Sequence, residues 1–393
     1  MDAAWHRKAL VEGHLAHWLA VAPTETGFLR TEFGRTWQPK GNAEVDLTAQ
    51  SRLVYALASG YVVTGDPRYL AAARSGADFL LRSFRDPVHG GFLRSVAADG
   101  QVRDASKHTY GHAFAIFALA HAYRAVGDER YRAAAIEAWR TVDGHLRDPS
   151  GGFRPEAPRD FGPSSSRRTQ NPVMHLFEAT LALYEATGDD EARLAARTVG
   201  DFVVYRLLEG RPDGSAFIPE WYDEAWRPLD RDQGGYVDLG HQFEWAYLLA
   251  ASEPLAISPL YAEVAERVLA YAIKLGYDET AGGAYSRVKG VEAIDRHKGW
   301  WQQAECLRAL TYFAVAKGRA DVGRRARQTL EFVRAEFVDP VNGGWYPAAK
   351  SVCATSGCED EQPDPYHMTA MHRAALVLAA KKNGAPLGRP ESH

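Results

Sequence analysis

The sequence predicts an all-α fold, an (α/α)6 barrel built as a single domain, from three observations. A Gly-aromatic turn recurs six times at a nearly constant interval. Each interval holds one helical stretch rich in Ala, Leu and aromatics, and a second that is amphipathic with Arg and Glu. A short Gly-Asp loop joins the two, as in antiparallel helix hairpins.

The turns are Thr26-Gly27-Phe28, Asp86-Pro-Val-His-Gly90-Gly91-Phe92, Asp148-Pro-Ser-Gly151-Gly152-Phe153, Asp213-Gly214-Ser-Ala-Phe217, Asp278-Glu-Thr-Ala-Gly282-Gly283 and Asp339-Pro-Val-Asn-Gly343-Gly344-Trp345. From Gly27 through Gly90, Gly151, Gly214, Gly282 and Gly343 the steps are 63, 61, 63, 68 and 61. The apolar stretches include Thr48 to Val63, His112 to Val126 and Val173 to Thr187. The amphipathic ones include Arg68 to Phe84, Glu129 to Leu146 and Asp190 to Leu207. Six such pairs form an inner and an outer layer and can close into a ring. An open solenoid would leave both ends in need of caps. The first helix, Asp2 to Leu19, can complete the outer layer. The domain is expected over residues 1–382, with a frayed Pro- and Gly-rich tail over 383–393.

Composition narrows the function. The 393 residues are 46% apolar and 24% charged, with a formal net charge of -4. That balance argues against binding nucleic acid or an anionic membrane surface. No apolar run reaches the length of a membrane span, and the N-terminus lacks the apolar core of a signal peptide. Three cysteines, Cys306, Cys353 and Cys358, argue against a disulfide framework and point to a cytoplasmic protein. Cys353 and Cys358 lack the second pair that a structural zinc needs. Aromatics at 11%, ten of them tryptophan, suit a carbohydrate cleft and also a large core.

In such a ring the inner helices run parallel, so their first turns converge at one mouth. Reading one position per repeat gives Arg52, His112, His175, His241, the Trp300-Trp301 pair and His372. His241 and Glu244 are three apart on one helical face behind a plausible N-cap, Asp238. The helix dipole there favours a neutral imidazole and an ionised carboxylate, the pair that proton abstraction near pH 7 needs. Asn171 reads as the N-cap of a helix that repeats the spacing with His175 and Glu178, and Thr369 as a possible cap before His372. Each histidine taken alone can be a satisfied core residue; their recurrence at one register argues for a site. No Gly-x-Gly-x-x-Gly, phosphate loop or His-Glu-x-x-His is present. No metal or other cofactor is expected, although three histidines and a glutamate could ligate one.

These residues resemble the N-acylglucosamine 2-epimerase superfamily along the whole chain. The matching motifs are Thr48-Ala-Gln50-Ser-Arg52, Tyr110-Gly-His112-Ala-Phe114, Asn171-Pro-Val-Met174-His175-Leu-Phe-Glu178, Gly240-His241-Gln-Phe-Glu244-Trp245, Trp300-Trp301-Gln-Gln-Ala-Glu305 and Pro365-Tyr-His367-Met-Thr-Ala-Met-His372. The resemblance implies an (α/α)6 barrel and metal-free acid–base chemistry at C2 of an open-chain sugar. It implies catalytic roles for His241 and His372; of the two, His372 is our expected base at C2 and His241 the group for ring opening and transfer at C1. It implies substrate-holding or orienting roles for Arg52, His112, His175, Glu244, Trp301 and Asn171. His112 and Lys298-Gly-Trp-Trp are most similar to the D-mannose isomerase branch, which implies interconversion of D-mannose with D-fructose, and of D-lyxose with D-xylulose. A sugar 2-epimerase is the nearest alternative. A glycoside hydrolase, which would need two carboxylates across the cleft, and a non-catalytic sugar-binding toroid are further ones. The expected partner is a monosaccharide, with the chain acting as a monomer or homodimer.

Overall fold

The computed structural model describes residues 2–41, 44–164, 166–289 and 293–384. Among them, six helices form an inner wall: Leu47–Thr64, Thr109–Val126, Gln170–Thr187, Leu239–Ala251, Trp300–Val315 and Tyr366–Asn383. Neighbours in this series pack on one another, and the last packs against the first, so the ring closes as an (α/α)6 barrel. The outer layer holds Pro67–Phe79, Glu129–Thr141, Asp190–Phe202, Leu260–Gly276 and Ala320–Glu336. The chain's first helix, from Ala3–Leu10 on to Val21, packs against Tyr366–Asn383 and completes that layer. π-helical turns carry three outer helices on to Phe84, Leu146 and Leu207.

The punctuation seen in the sequence has a local cause at each joint. Gly65, Gly127 and Gly188 end three inner helices at φ of 70°, 76° and 64°, a left-handed conformation that glycine adopts without strain. The next residue, Asp66, Asp128 or Asp189, caps the outer helix by accepting from the backbone N–H of Arg68, Arg130 or Glu191.

The Gly-aromatic turns are built by their leading aspartates. In each, Oδ1 accepts from the N–H two residues on: Val88, Ser150, Ser215, Thr280 and Val341, at 2.9 to 3.1 Å. The second carboxylate oxygen then holds a cation. Asp86 takes Lys107 at 2.9 Å, Asp148 takes Arg168 at 2.6 Å and Asp278 takes Lys298 at 2.8 Å. Asp339 pairs with Arg35 across the ring closure. Three of these cations stand just before an inner helix, so each turn is tied to the start of the next inner helix.

The turns are also gripped by the inner helices. Gln50, His112, Gln242 and Gln303 are each the fourth residue of their helix. Gln50 bonds the backbone of Leu29 and Gly27, and Gln242 that of Ile218. Gln303 bonds Ala284 in the same way, and His112 Nε2 accepts from the Phe92 N–H at 2.9 Å. The close approach explains the second glycine of the pair. A Cβ on Gly91, whose φ is +66°, would lie 2.6 Å from His112 Nε2.

Two expectations are corrected here. Cys353 and Cys358 are joined as a disulfide, because the short helix Lys350–Ser356 ends at Gly357 and the chain doubles back to bring their Cα atoms to 4.6 Å. In the expected tail, Asn383 still belongs to the last helix and Gly384 caps it; the remainder lies outside the described residues. No described helix is long and apolar enough to cross a membrane.

The Asp86–Lys107 pair has no exposed side-chain surface on either partner, and Arg159 adds two further bonds to Asp86. Removing one member of a buried pair strands the other charge. Asp86→Asn is therefore expected to cost about 3–5 kcal/mol in chemical denaturation. A loss below about 1 kcal/mol, the range of exposed pairs, would contradict that role.

Candidate active site

The N-terminal ends of the inner helices open on a pocket of about 480 Å³. Arg52, Asn171, His175, His241, Trp300 and Trp301 line it, as the sequence led us to expect. So do Asp238, expected only as a cap, Tyr110 and His367, named only within motifs, and Thr169, Glu220, Trp221, Tyr236 and Asp364, which were not singled out.

Three expected residues lie elsewhere. His112 is fully buried as a turn clip: its Nδ1–H donates to the His108 carbonyl at 2.8 Å while Nε2 accepts from Phe92. Burial pushes its pKa down to about 4. His372 is not at the mouth. Its helix begins at Tyr366, so Thr369 is an interior residue and not a cap. His372 therefore lies on the opposite face from His367. It packs on Trp5, and its Nδ1 is 3.0 Å from His6 Nδ1 under the N-terminal helix. Glu244 lies beneath the pocket without exposed surface and does not bond His241. Asn171 keeps its place in the wall, but the cap is Thr169. The buried Asn171 Oδ1 has no protein partner, leaving an acceptor for a ligand.

The partner of His241 is Glu220, from the connection before Trp221–Tyr222. Its Oε2 lies 2.8 Å from His241 Nδ1, and Gln170 Nε2 bonds the same carboxylate. Asp238 caps the helix by accepting from the His241 N–H at 3.2 Å. Burial lowers the affinity of His241 for a proton, but the Glu220 and Asp238 charges outweigh it and raise the pKa to about 10. The neutral imidazole expected from the helix dipole is thus replaced by a cationic one, because two carboxylates within a few ångströms exceed a dipole effect of about 0.3–1 kcal/mol.

His367 is built on the same plan. Its Nδ1 lies 2.8 Å from Glu305 Oε1, which leaves Nε2 for a ligand. Its ring centroid is 5.4 Å from that of Trp301, and that of His241 is 4.9 Å away from the same indole. His175 Nδ1 sits 3.3 Å from Glu178 Oε2, and burial lowers its pKa to about 4, so it is neutral at pH 7. Arg52 is the fixed cation of the wall. It bonds Asp364 Oδ2 at 2.8 Å and donates to the Tyr110 hydroxyl at 2.7 Å.

Below these groups lies a buried charge network. Arg308 reaches Glu178 at 3.1 Å and Glu305 at 3.2 Å, and the Tyr366 hydroxyl also donates to Glu178. Glu244 has neither oxygen bonded. Burial, then the Glu305 and Glu178 charges, push its carboxyl well above the usual range, which favours the protonated form. Among the described residues, His175, Glu178 and Glu244, and Glu244, Glu305 and His367, bring possible metal-ligand atoms within 4.8 Å of one another. Both trios need a carboxylate that Arg308 already holds, so the site fits a metal poorly.

The molecule is an (α/α)6 barrel with two carboxylate-bound histidines, His241 and His367, at its helical mouth, and sequence comparison identifies the family. The chain matches the N-acylglucosamine 2-epimerase (GlcNAc 2-epimerase) family over residues 27–370 and belongs to it. It is 28% identical to a D-mannose isomerase from Thermobifida fusca, covering 92% of this chain and 91% of that one. It is 25% identical to a cellobiose 2-epimerase from Eubacterium cellulosolvens, covering 97% and 98%. A crystal structure of a D-mannose isomerase superposes with a TM-score of 0.85 at 21% identity, covering 95% and 97%.

The carboxylate of Glu220 is what keeps His241 cationic, so Glu220→Gln is expected to lower its pKa from about 10 towards the ordinary value near 6.5. NMR titration of the imidazole reads this without a substrate. The sign for stability follows. A raised folded-state pKa stabilises fully below about pH 6.5 and is lost as pH rises towards 10, and the variant should lose that dependence. An unchanged titration would remove Glu220 as the cause.

Proposed function

We propose that the chain is an aldose–ketose isomerase that interconverts D-mannose and D-fructose, and D-lyxose and D-xylulose, through a cis-enediolate. One observation carries the reading: two imidazoles, each fixed at Nδ1 by a carboxylate, flank Trp301 with Nε2 left for substrate, and His241 is the one held protonated. An acid and a base in one pocket are what proton transfer beside a carbonyl requires.

His367 takes the C2 proton of the open-chain aldose. The C–H electrons form the C1=C2 bond as the carbonyl electrons move onto O1. His241 gives its proton to O1, and Arg52 holds the developing charge. The His367 imidazolium then delivers its proton to C1, while the O2 proton returns to His241 as the ketone forms. The net transfers are C2 to C1 and O2 to O1, and both histidines end as they began.

The charge of the pocket favours an unphosphorylated sugar. Glu220, Asp238 and Asp364 face it against two cations, Arg52 and the protonated His241, already paired with Asp364 and Glu220. Two of those carboxylates are committed to His241 and Arg52, which disfavours the paired carboxylates of a glycoside hydrolase. The second reading is a 2-epimerase, in which the proton returns to C2 from the other face. The rim aromatics Trp221, Tyr236 and Trp300 favour it, since they would suit a second sugar ring as in cellobiose.

Incubation with D-mannose and analysis of the product separates the two: ketose supports the isomerase, and an epimeric aldose alone rejects it. His367→Asn should lower kcat by about 10²–10⁴-fold and abolish exchange of the C2 hydrogen with solvent. His372→Asn should retain turnover, so the opposite pattern would return the base to His372. Turnover is also expected to survive exhaustive chelation, because Arg308 occupies the carboxylates that a metal would need. Activity lost on chelation and restored by one divalent ion would reject this.

A further inference from the structure

A second cavity, of about 380 Å³, opens at the other end of the barrel. It is lined from the C-terminal halves of the inner helices, and the reaction above uses none of its outer lining. Tyr55, Phe117, Tyr247 and Tyr312 give it aromatic walls. Arg124, Arg373 and Lys381 line it, and Arg308 forms its inner end.

The charge there is only partly explained by the fold. Helix C-termini favour cations within their last turn, which accounts for Arg124 and Lys381. Arg124 also stands 3.7 Å from Glu185. Arg308 and Arg373 lie mid-helix, where the dipole effect is gone. Each has a buried Nε–H with no protein acceptor, and Arg308 is only 7% exposed. Both N–H groups are enclosed, and the lining as a whole sets four cations, Arg124, Arg308, Arg373 and Lys381, against two carboxylates, Glu178 and Glu185. The electrostatics agree: His121 in the same wall is held well below the usual imidazole range by burial, then by Arg373 and Arg124.

We propose that this cavity binds a small oxyanion carried on a ring, its charge on Arg373 and Arg308 and its ring against the tyrosines, and that it regulates the active site from below. The coupling runs through Arg308. Its guanidinium is bonded to Glu178 and Glu305, which in turn hold His175 and His367. An oxyanion that draws Arg308 towards the cavity weakens both pairs. Glu305 and Glu178 are then no longer held in place behind His367 and His175, and the two rings lose their fixed orientation. The ligand therefore inhibits by lowering kcat.

The test uses phenyl phosphate, benzoate and inorganic phosphate as probes, with calorimetry on the whole protein. Phenyl phosphate or benzoate should bind at one saturable site, more tightly than inorganic phosphate; the better of the two tells a phosphate-bearing from a carboxylate-bearing ligand. Arg373→Gln should weaken that binding at least tenfold and leave basal turnover unchanged. Val377→Trp, which fills the cavity from one turn further along the same helix, should abolish binding while the fold is retained by circular dichroism. No saturable binding at millimolar probe, or binding unaltered in either variant, overturns the site. Inorganic phosphate binding as tightly as the ring probes overturns the ring. The binding arm stands apart from the reaction proposed above. With a turnover assay in hand, an unchanged kcat at saturating probe overturns the coupling.

Discussion

The grip of the fourth inner-helix residue on the neighbouring turn sets what the mouth of the barrel presents. At 100° per residue, the second and sixth residues of a helix share one face, and the fourth lies about 200° from both. Once Gln50, His112, Gln242 and Gln303 are fastened outward to the turns, the second and sixth positions must face the axis. The second positions are Tyr110, Asn171, Trp301 and His367; the sixth include Arg52, His175, Glu244 and Glu305. The two lie one above the other, so the second makes the pocket wall and the sixth its floor. The Asp86–Lys107 type of pair serves the same end at three turns, holding each against the start of the next inner helix.

That floor is costly. Glu178, Glu244 and Glu305 are buried together around Arg308, one cation among three carboxyls. Burying a charge without a partner costs several kcal/mol, and the structure distributes the load. Arg308 and the histidines keep Glu178 and Glu305 ionised, each pKa lowered against burial. Glu244, left without a partner, is pushed by burial and by the Glu305 and Glu178 charges towards its neutral form. The two ionised floor carboxylates are the ones that orient His175 and His367, so the network's expense is spent where imidazole geometry matters.

The repeat made the fold legible. Six turns, alternating apolar and amphipathic stretches and the Gly-Asp joints located twelve helices, because each signal has a local cause in backbone geometry. The site was legible by type of residue more than by position. Taking one position per repeat, at steps of 60 to 71 residues, placed His112 and His372 beside Arg52 and His241, yet these are the fourth, seventh, sixth and third residues of their helices. Loop lengths before the inner helices differ, so counting from repeat to repeat does not preserve helical phase. The correct phase for the last helix was available: Asp364 Oδ1 accepts from the Tyr366 N–H, and an Asp-Pro pair is a start signal that precedes Thr369 by a full turn. Glu220 had a weaker trace. Its repeat is the longest, at 68 residues, and the added chain between Phe217 and Val237 carries Glu220, Trp221 and Tyr236 to the mouth.

The pairing of His241 with Glu220, in place of Glu244, changes the chemistry and not only the contact. A carboxylate one turn away on the same helix would move with the histidine and share its desolvation. Glu220 comes from a separate connection, anchored by Gln170, by the Thr169 hydroxyl and by its own backbone bond to Tyr236. It holds the ring from outside the helix. The same logic applies at His367, whose Glu305 belongs to the neighbouring inner helix. Both rings are therefore fixed by groups on different elements from their own, and the distance between their Nε2 atoms is set by how the barrel packs. In the reaction proposed above one ring serves the carbons and the other their oxygens, and they can act on one substrate only if the inner helices hold their phase. The outward clips that fix that phase are, on this account, as necessary to the reaction as the imidazoles themselves.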